Sequence, residues 1–359
     1  MNNIFKFHLT DIQNVSGQSG WKSPSNIALI KYWGKKDIQI PLNASLSFTL
    51  SNCYTDCIVK YEPLKKSSSV CEFKLFFEGK REVSFEEKLN IFFKRIAVYC
   101  PYLLDLKLTI ETKNSFPHSS GIASSASAYS ALSLCVMDIE KKINSKISSE
   151  YFFNKASFLS RLGSGSASRS VFGPLAIWGE NDFFKKSSNF YAVKYEEKLH
   201  DNFKNFQDTV LLVDKGEKHI SSTVGHSLMN DHYFSNDRLV QAHKNLTLLN
   251  DSLISGDLDT FISVVETEAL TLHAMMMTSS PYYILIKPNT LEIINEIWNF
   301  RKNTNYKVCF TLDAGANIHL LYPKENFTVV QEFISNNLSR FCQNGEFIND
   351  HVGIGPNKL

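Results

Sequence analysis

A run of small residues from Ser115 to Tyr129, SFPHSSGIASSASAY, constrains the fold more than any other feature of this chain. It follows a segment of strand character, Leu106–Glu111, and opens a helix that we expect over Gly121–Met137. So little side-chain bulk lets a phosphate group reach the backbone, and a helix N-terminus presents unpaired N–H groups and the positive end of its dipole. The alternative is that serine and alanine only let an interior helix pack tightly. The run therefore predicts either a phosphate loop or a closely packed helix.

The serine hydroxyls of this run can bind phosphate oxygens or a magnesium ion. The sequence contains no GxxxxGK[ST] pattern, which excludes the P-loop fold. The spacing Pro-x-x-x-Gly-x-x-Ser-Ser-Ala resembles the nucleotide loop of the GHMP kinase superfamily, whose fold has two α+β lobes and whose loop wraps ATP. The resemblance implies ATP phosphate contacts at Pro117, Ser119, Ser120, Gly121, Ile122, Ala123, Ser124 and Ser125, with Ser124 or Ser125 also touching Mg²⁺.

Residue patterning along the rest of the chain predicts an α+β protein with two lobes. A length of 359 residues exceeds one ordinary domain, and the polar stretch Gly179–Asn189 favours lobes of residues 1–189 and 190–359. Strands are expected within Pro41–Tyr61 and at Lys74–Phe77, Leu106–Glu111, Phe190–Tyr195, Thr209–Val213, Lys307–Leu312 and Ile318–Tyr322. Further helices are expected at Phe85–Tyr99, Tyr151–Leu162, Asp237–Ile254, Leu258–Met276, Leu291–Lys302 and Phe327–Phe341.

Composition excludes several other classes of protein. The balance of 38 basic and 36 acidic side chains gives a net charge of +2 and no electrostatic case for nucleic-acid binding. No run approaches the roughly 20 apolar residues that span a bilayer, and the N-terminus lacks a secretory pattern. The seven cysteines are odd in number and scattered, which is typical of free thiols in a reducing cytoplasm. We therefore expect a folded cytoplasmic protein without nucleic-acid or membrane partners, and composition says nothing yet about its chemistry.

A second constraint is the lysine of NIALIKYWGKKD, followed closely by PLNASLS. Lys31 lies in what reads as an apolar strand, beside Tyr32 and Trp33. Buried lysines are rare unless an anion pairs with them, because desolvating the charge is costly. The alternative is an edge strand from which Lys31 reaches water. Together the two segments resemble the signature of the diphosphomevalonate decarboxylase family, which has the GHMP fold. That resemblance implies roles for Lys31, Tyr32 and Lys35 near the substrate phosphates or the reacting oxygen.

The segment RLGSGSASRS surrounds Arg169 with glycine and serine. A guanidinium can bind a carboxylate through two hydrogen bonds, although the segment could equally be a helix–turn junction with a surface arginine. It resembles the GSGSA-x-RS segment of the decarboxylase family. By that resemblance Ser164, Ser166 and Arg169 contact the substrate, and Arg169 binds the carboxylate that leaves as CO₂.

The segment FTLDAGAN places Asp313 at the end of an apolar strand. Such an aspartate can point into a cleft, but a turn-forming or helix-capping role is the common one. The segment resembles the family motif that carries the catalytic aspartate, which implies this role for Asp313. A weaker resemblance, ISSTVGH, implies that Ser221 and Ser222 line the substrate pocket. His118, His226 and Ala316 depart from the family pattern.

The resemblance, colinear from about residue 20 to about 320, implies an enzyme of the mevalonate pathway of isoprenoid biosynthesis. The family reaction converts mevalonate 5-diphosphate and ATP into isopentenyl diphosphate, CO₂, ADP and phosphate, with Mg²⁺. Alternatives on the same fold are a phosphomevalonate decarboxylase and a mevalonate 3-kinase; a non-catalytic nucleotide-binding relative is the alternative from another class. Members of the family are often homodimers, and a homodimer is expected here on that ground alone.

Overall fold

The computed structural model describes residues 4–7, 15–117, 122–216 and 222–359. The strands are β1 (Gly17–Ala28), β2 (Lys35–Lys36), β3 (Ile40–Pro41), β4 (Ser45–Pro63), β5 (Glu72–Phe77), β6 (Lys80–Arg81), β7 (Leu106–Asn114), β8 (Leu175–Trp178), β9 (Ala192–Lys194), β10 (Gln207–Leu211), β11 (Cys309–Thr311), β12 (Ile318–Tyr322), β13 (Phe347–His351) and β14 (Asn357–Lys358). The α-helices are α1 (Glu86–Ile96), α2 (Ser124–Ile143), α3 (Ser149–Gly163), α4 (Ser222–Ser227), α5 (Ser235–Ser255), α6 (Leu258–Met277), α7 (Pro288–Thr304) and α8 (Phe327–Phe333).

The first sheet is organised around the long strand β4. Its order is β14–β1–β4–β7–β5–β6, with β8 pairing β4 and β9 pairing β8. On one side of β4, β8 pairs at Ser45–Phe48 and β7 at Thr55–Pro63, so the strand changes partner midway. Its second half alternates buried and less buried residues, which is the pattern of a strand with one covered face. The helices α2 and α3 belong with this sheet to one apolar core.

The second sheet has the order β11–β12–β10–β13 and is antiparallel throughout. One apolar cluster joins residues of β10 and of helices α5 and α6 to residues of β1, β4 and β8 in the first sheet. A separate cluster includes residues of the second sheet with α7 and α8. The Asp350 carboxylate in β13 also accepts hydrogen bonds from the backbone N–H groups of Ser51, Asn52 and Cys53 in β4. The two sheets therefore meet through apolar packing and a direct polar tie.

The predicted two-lobed mixture of strands and helices is confirmed, with two local differences. The strand expected to contain Lys31 ends at Ala28, so Lys31 lies in irregular chain. The helix expected over Phe327–Phe341 is α-helical only to Phe333 and continues as a π-helical turn and a 3₁₀ turn. Apolar spacing predicts that the segment is helical but does not specify whether each turn has α, 3₁₀ or π hydrogen bonding. The strand β9 lies beyond residue 190 yet pairs within the first sheet, and the division at residues 189 and 190 stays a prediction.

Two whole-chain properties are visible in the described ranges. No helix there is long and apolar enough to cross a bilayer. The seven cysteines all lie in described ranges, and each is a free thiol.

Candidate active site

Lys31 and Asp313 form an ion pair between the two sheets. Lys31 lies just beyond the end of β1, and Asp313 lies just beyond the end of β11. The Lys31 Nζ is 2.9 Å from Asp313 Oδ1, and the side chains are 2% and 29% exposed. Burial lowers the pKa of Lys31, and the neighbouring Asp313 carboxylate acts in the opposite direction. The buried lysine therefore has the anionic partner that its burial demands, and the alternative of a lysine reaching water is wrong.

Arg169 is a buried cation whose hydrogen bonds go to neutral oxygens. It lies in a 3₁₀ turn, Gly165–Val171, and is 2% exposed. Its Nη1 donates to Ser45 Oγ at 2.9 Å, and its Nε donates to Asn26 Oδ1 at 3.3 Å. Within the described ranges it forms no ion pair. The alternative of a surface arginine is therefore wrong, and the guanidinium can accept an anionic ligand.

The electrostatics of Arg169 connect it to the Lys31–Asp313 pair. Burial lowers the pKa of Arg169 to about 10, against the opposing influence of Asp313 and Tyr32. Arg169 in turn contributes to the lowered pKa of Lys31. Lys31, Arg169 and Asp313, which the sequence predicted to be catalytic, thus lie in one site. Lys31 and Asp313 are 282 positions apart in the chain. Two cations and one accessible carboxylate favour a ligand with its own negative charge.

Tyr32 and Lys35 lie beside this group. The Tyr32 ring packs edge-on against Trp178, with 4.8 Å between ring centroids. Lys35 is partly buried in β2, and its Nζ donates to Gln39 Oε1 at 3.1 Å. Burial lowers the pKa of Lys35, and the charge of Arg95 lowers it further. Tyr32 and Lys35, two of the predicted substrate contacts, therefore lie close together, since the side chains of both reach Gln39 Oε1.

His226, in α4, packs between Tyr32 and Trp33, with ring centroids 4.3 Å and 4.7 Å away. Its Nδ1 accepts the Gly34 N–H at 3.0 Å, which places the proton of the neutral ring on Nε2. Burial lowers its pKa to about 3, and the charges of Lys35 and Arg169 act in the same direction. His226 is therefore an uncharged ring packed against Tyr32 and Trp33 at neutral pH.

The first turn of α2 meets the serine-rich turn that precedes Arg169. Ser125 Oγ lies 3.2 Å from Ser164 Oγ, which lies 3.3 Å from Ser166 Oγ. Ala123, immediately before α2, has a left-handed backbone with φ of 46°. Ile122 is anchored because its carbonyl oxygen accepts the Ser25 hydroxyl at 2.6 Å. The predicted phosphate-binding turn therefore adjoins the predicted substrate-binding turn.

Part of the predicted site lies outside the described residues. Pro117 is described and exposed. The predictions that fall outside the described ranges concern Ser119, Ser120, Gly121 and Ser221, together with the departure at His118. Ser222 begins α4, but its side chain is outside the described set.

Magnesium binding is compatible with the oxygen donors that are described. Ser124 and Ser125 lie in the first turn of α2, and Ser125 is exposed. No cluster of three or more His, Cys, Asp or Glu residues that could hold a metal occurs in the described ranges. Mg²⁺ is commonly held by few protein ligands, by water and by substrate phosphates. The donor set therefore fits a nucleotide-bound magnesium ion, which the hydroxyl of Ser124 or Ser125 would hold.

Several polar residues around Lys31 and Asp313 escaped the sequence analysis. Glu268 and Arg238 contact the Lys31 backbone, and His273 Nε2 donates to the Asp313 carbonyl oxygen at 3.1 Å. The available signal was the presence of Glu268 and His273 within the apolar helix α6. The helical period places Glu268 on the same face as Val265 and Leu272, so a charged residue on that apolar face is what could have singled it out.

Comparisons with known proteins identify the family of this chain. The model described as Diphosphomevalonate decarboxylase-like N-terminal domain matches residues 23–190, and that of the Mevalonate 5-diphosphate decarboxylase C-terminal domain matches residues 209–353. Diphosphomevalonate decarboxylase of Schizosaccharomyces pombe is 26% identical over 93% of this chain and 85% of its own length.

Solved structures give the same result. The crystal structure of mevalonate diphosphate decarboxylase from Staphylococcus aureus is 27% identical, with a TM-score of 0.81 over 96% of this chain and 98% of its own. A complex of MDDEF with MVAPP, AMPPCP and magnesium is 25% identical, with a TM-score of 0.81 over 96% of this chain and 99% of its own. With both domain models matched along one chain and the same fold throughout, this protein belongs to the diphosphomevalonate decarboxylase family, on the GHMP kinase fold.

Proposed function

We propose that this protein converts mevalonate 5-diphosphate and ATP into isopentenyl diphosphate, CO₂, ADP and phosphate, with Mg²⁺. The observation that carries the proposal is the Lys31–Asp313 ion pair beside Arg169, a buried cation bonded to neutral oxygens. A substrate that brings a carboxylate next to a hydroxyl satisfies both features at once. The family to which the chain belongs and the MVAPP, AMPPCP and magnesium complex of a relative support the choice of substrates.

The first chemical step is phosphoryl transfer to the tertiary 3-hydroxyl group. Asp313 orients this hydroxyl and accepts its proton as the oxygen attacks the γ-phosphorus of ATP. Lys31 holds the Asp313 carboxylate in place through the 2.9 Å contact and adds positive charge near the transferred phosphoryl group. Such transfers depend mainly on positioning and charge neutralisation. Magnesium supplies further neutralisation of the phosphate charge when it is bound.

The second step breaks two bonds and forms one double bond. The 3-phosphate leaves with the C–O bonding pair, and positive charge develops at C3. The pair of the bond to the carboxylate then forms the double bond as CO₂ departs. Arg169 fixes this carboxylate for elimination, and Asp313 stabilises the developing positive charge. Ser164 and Ser166 support the bound acid, since Ser166 lies in the same turn as Arg169 and Ser164 immediately precedes that turn.

The remaining predicted contacts complete the assignment. Tyr32 and Lys35 bind the substrate side, together with Ser221 and Ser222. The nucleotide phosphates bind along the segment from Pro117 to Ser125, with Ser124 or Ser125 at the metal. The adjacency of Ser125 and Ser164 supports this arrangement because it brings the two binding segments together.

Three organisational proposals accompany the reaction. We infer a nucleotide-binding lobe of residues 1–189 and a second lobe of residues 190–359. Seven free thiols support a cytoplasmic location. A homodimer follows from the family alone, and light scattering coupled to size-exclusion chromatography checks it against the mass of 40.8 kDa per chain.

The test follows CO₂ and ADP separately with mevalonate 5-diphosphate, mevalonate 5-phosphate and mevalonate. CO₂ and ADP in equal amounts from the diphosphate alone support the proposal. Equal amounts from the monophosphate would identify a phosphomevalonate decarboxylase, and ADP without CO₂ would identify a 3-kinase. ATP binding without turnover of any of the three would identify a non-catalytic relative.

Asp313→Asn tests the central residue in the same assay. We expect a loss of turnover of roughly 10³-fold or more, because both positioning and charge stabilisation are removed. Asp201→Asn is the matched control, since Asp201 is 84% exposed and its ion pair is with Lys204, far along the chain from Asp313. Near-normal decarboxylation by the Asp313→Asn protein would contradict the mechanism.

A further inference from the structure

A buried ion pair between helices α5 and α6 lies directly against Lys31. Arg238 of α5 and Glu268 of α6 are 1% and 0% exposed, with 2.6 Å between Nη2 and Oε2. A second contact joins Nη1 and Oε1 at 3.1 Å, and Asn245 donates to the same Oε1 at 2.7 Å. The Glu268 carboxylate is therefore fixed from two sides.

This ion pair holds the backbone of Lys31. Glu268 Oε2 accepts the Lys31 N–H at 2.8 Å, while Arg238 Nη2 donates to the Lys31 carbonyl oxygen at 3.2 Å. Asn43 Nδ2 donates to the same oxygen at 3.0 Å. Because Lys31 lies beyond the end of β1, no strand pairing within the described part of the chain supports its peptide groups. Side chains from distant parts of the chain do so instead.

Stability alone is a weak reason for such a pair. Well-packed apolar residues can often replace a buried ion pair without loss of stability. Within the described ranges, Arg238 Nε is also buried without a hydrogen-bond partner, which adds a cost. The arrangement is better explained by what it positions.

The same helix also reaches the other half of the catalytic pair. His273, which follows Glu268 on α6, donates from Nε2 to the Asp313 carbonyl oxygen at 3.1 Å. We propose that Glu268, anchored by Arg238, is a positioning residue that sets Lys31 against Asp313 for reaction. The proposal rests on the function proposed above. Helix α6 then fixes the spacing between the segment that holds Lys31 and the segment that holds Asp313.

The chain offers a matched control in a second buried ion pair. Lys155 Nζ of α3 and Glu140 Oε2 of α2 are 2.6 Å apart, with side chains 0% and 1% exposed. Their other partners are Tyr102, Tyr151 and the Tyr99 carbonyl oxygen, within the core of the first sheet. This pair is likewise a buried cation–carboxylate pair between two helices, but its partners among the described residues include neither Lys31 nor Asp313.

The experiment compares three double variants, each of which removes a whole ion pair so that no buried charge is orphaned. Glu268→Leu with Arg238→Met removes the acceptor for the Lys31 N–H, and Glu268→Gln with Arg238→Met keeps one. Glu140→Leu with Lys155→Met is the control. We expect kcat to fall roughly 10- to 100-fold in the first, with KM for both substrates little changed, because a misplaced group loses rate more than binding. The Glu268→Gln, Arg238→Met protein should recover most of the lost kcat, and the kcat of the Glu140→Leu, Lys155→Met control should stay near the wild-type value.

Hydrogen exchange of the Lys31 amide gives a readout that does not depend on turnover. We expect the Lys31 amide to exchange at least about tenfold faster in the Glu268→Leu, Arg238→Met protein than in wild type. The Glu268→Gln, Arg238→Met protein should regain protection of this amide. A wild-type protein that releases no CO₂ would refute the proposed function, whereas the exchange comparison decides the positioning role. Unchanged exchange, or a kcat within twofold of wild type, would overturn the inference. If the Glu268→Leu, Arg238→Met protein does not fold, Glu268→Asp decides by the same two criteria, kcat and exchange of the Lys31 amide. The shorter side chain keeps the charge but moves the carboxylate oxygen away from the Lys31 N–H.

Discussion

Replacing Arg169 by methionine should destroy activity while leaving the protein at least as stable. Burial lowers the pKa of Arg169 from 12.5 to about 10. Because each pKa unit corresponds to about 1.4 kcal/mol, keeping this charge costs the fold about 3 kcal/mol. The substitution breaks the hydrogen bonds to Ser45 and Asn26, at about 1 kcal/mol each. The net expectation is a gain of about 1 kcal/mol, or about 2 °C in melting temperature.

The effect on catalysis has the opposite sign. Removing one partner of a buried charge pair costs about 2–5 kcal/mol, and the substrate carboxylate is the partner left behind. At about 1.4 kcal/mol per factor of ten, CO₂ release should fall roughly 30- to 5,000-fold. This combination is typical of binding sites, where groups are kept for function at the expense of stability.

The assay pairs differential scanning fluorimetry without ligands with CO₂ release at saturating ATP. Arg81→Met is the control, since the Arg81 side chain is 53% exposed and its contact with Glu86 spans 3.4 Å. A melting temperature more than about 5 °C below wild type would mean that Arg169 supports the fold, which contradicts the reasoning. Decarboxylation within tenfold of wild type would equally refute its role at the carboxylate.

Two further predictions concern His226 and, in the first turn of α2, Ser125. Burial lowers the pKa of His226 from its ordinary value of 6.5 to about 3. Between these two pH values the unfolded chain binds a proton at His226 and the folded protein does not. Stability is therefore lost as the pH falls from 6.5 towards 3. His226→Gln should therefore lose less melting temperature than wild type between pH 7.5 and pH 5; an equal loss in both proteins would contradict the burial argument. Ser125→Ala should raise KM for ATP roughly fivefold, the value of one hydrogen bond, with little change in melting temperature. Ser67→Ala is the exposed control, and an unchanged KM in the Ser125→Ala protein would remove Ser125 from the nucleotide site.

Local patterns carried much of the prediction of fold and site. Apolar spacing located α1, α3 and α6 to within a few residues, because each helix buries one continuous face. Residue chemistry in short motifs singled out Lys31, Arg169 and Asp313, and the structure places all three in one site. These are properties of neighbouring residues, which a sequence displays directly.

The expectation for Lys31 itself shows where such reasoning stops. Its apolar neighbours predicted a strand, but β1 ends at Ala28 and side chains from other elements hold the Lys31 peptide. A run of apolar residues looks the same whether strand pairing or another kind of contact buries it.

By itself, then, the sequence determined the order of helices and strands and the residue types available for an acidic, phosphorylated substrate. Only the tertiary structure decided which charges meet. It set Asp313, and not water, opposite Lys31, left Arg169 among neutral oxygens, and brought Glu268 to the Lys31 backbone from 237 residues away. The physical reason is that the energy of a charge depends on its burial and on its partners in space. Neither is a property of the residues adjacent to it in the chain.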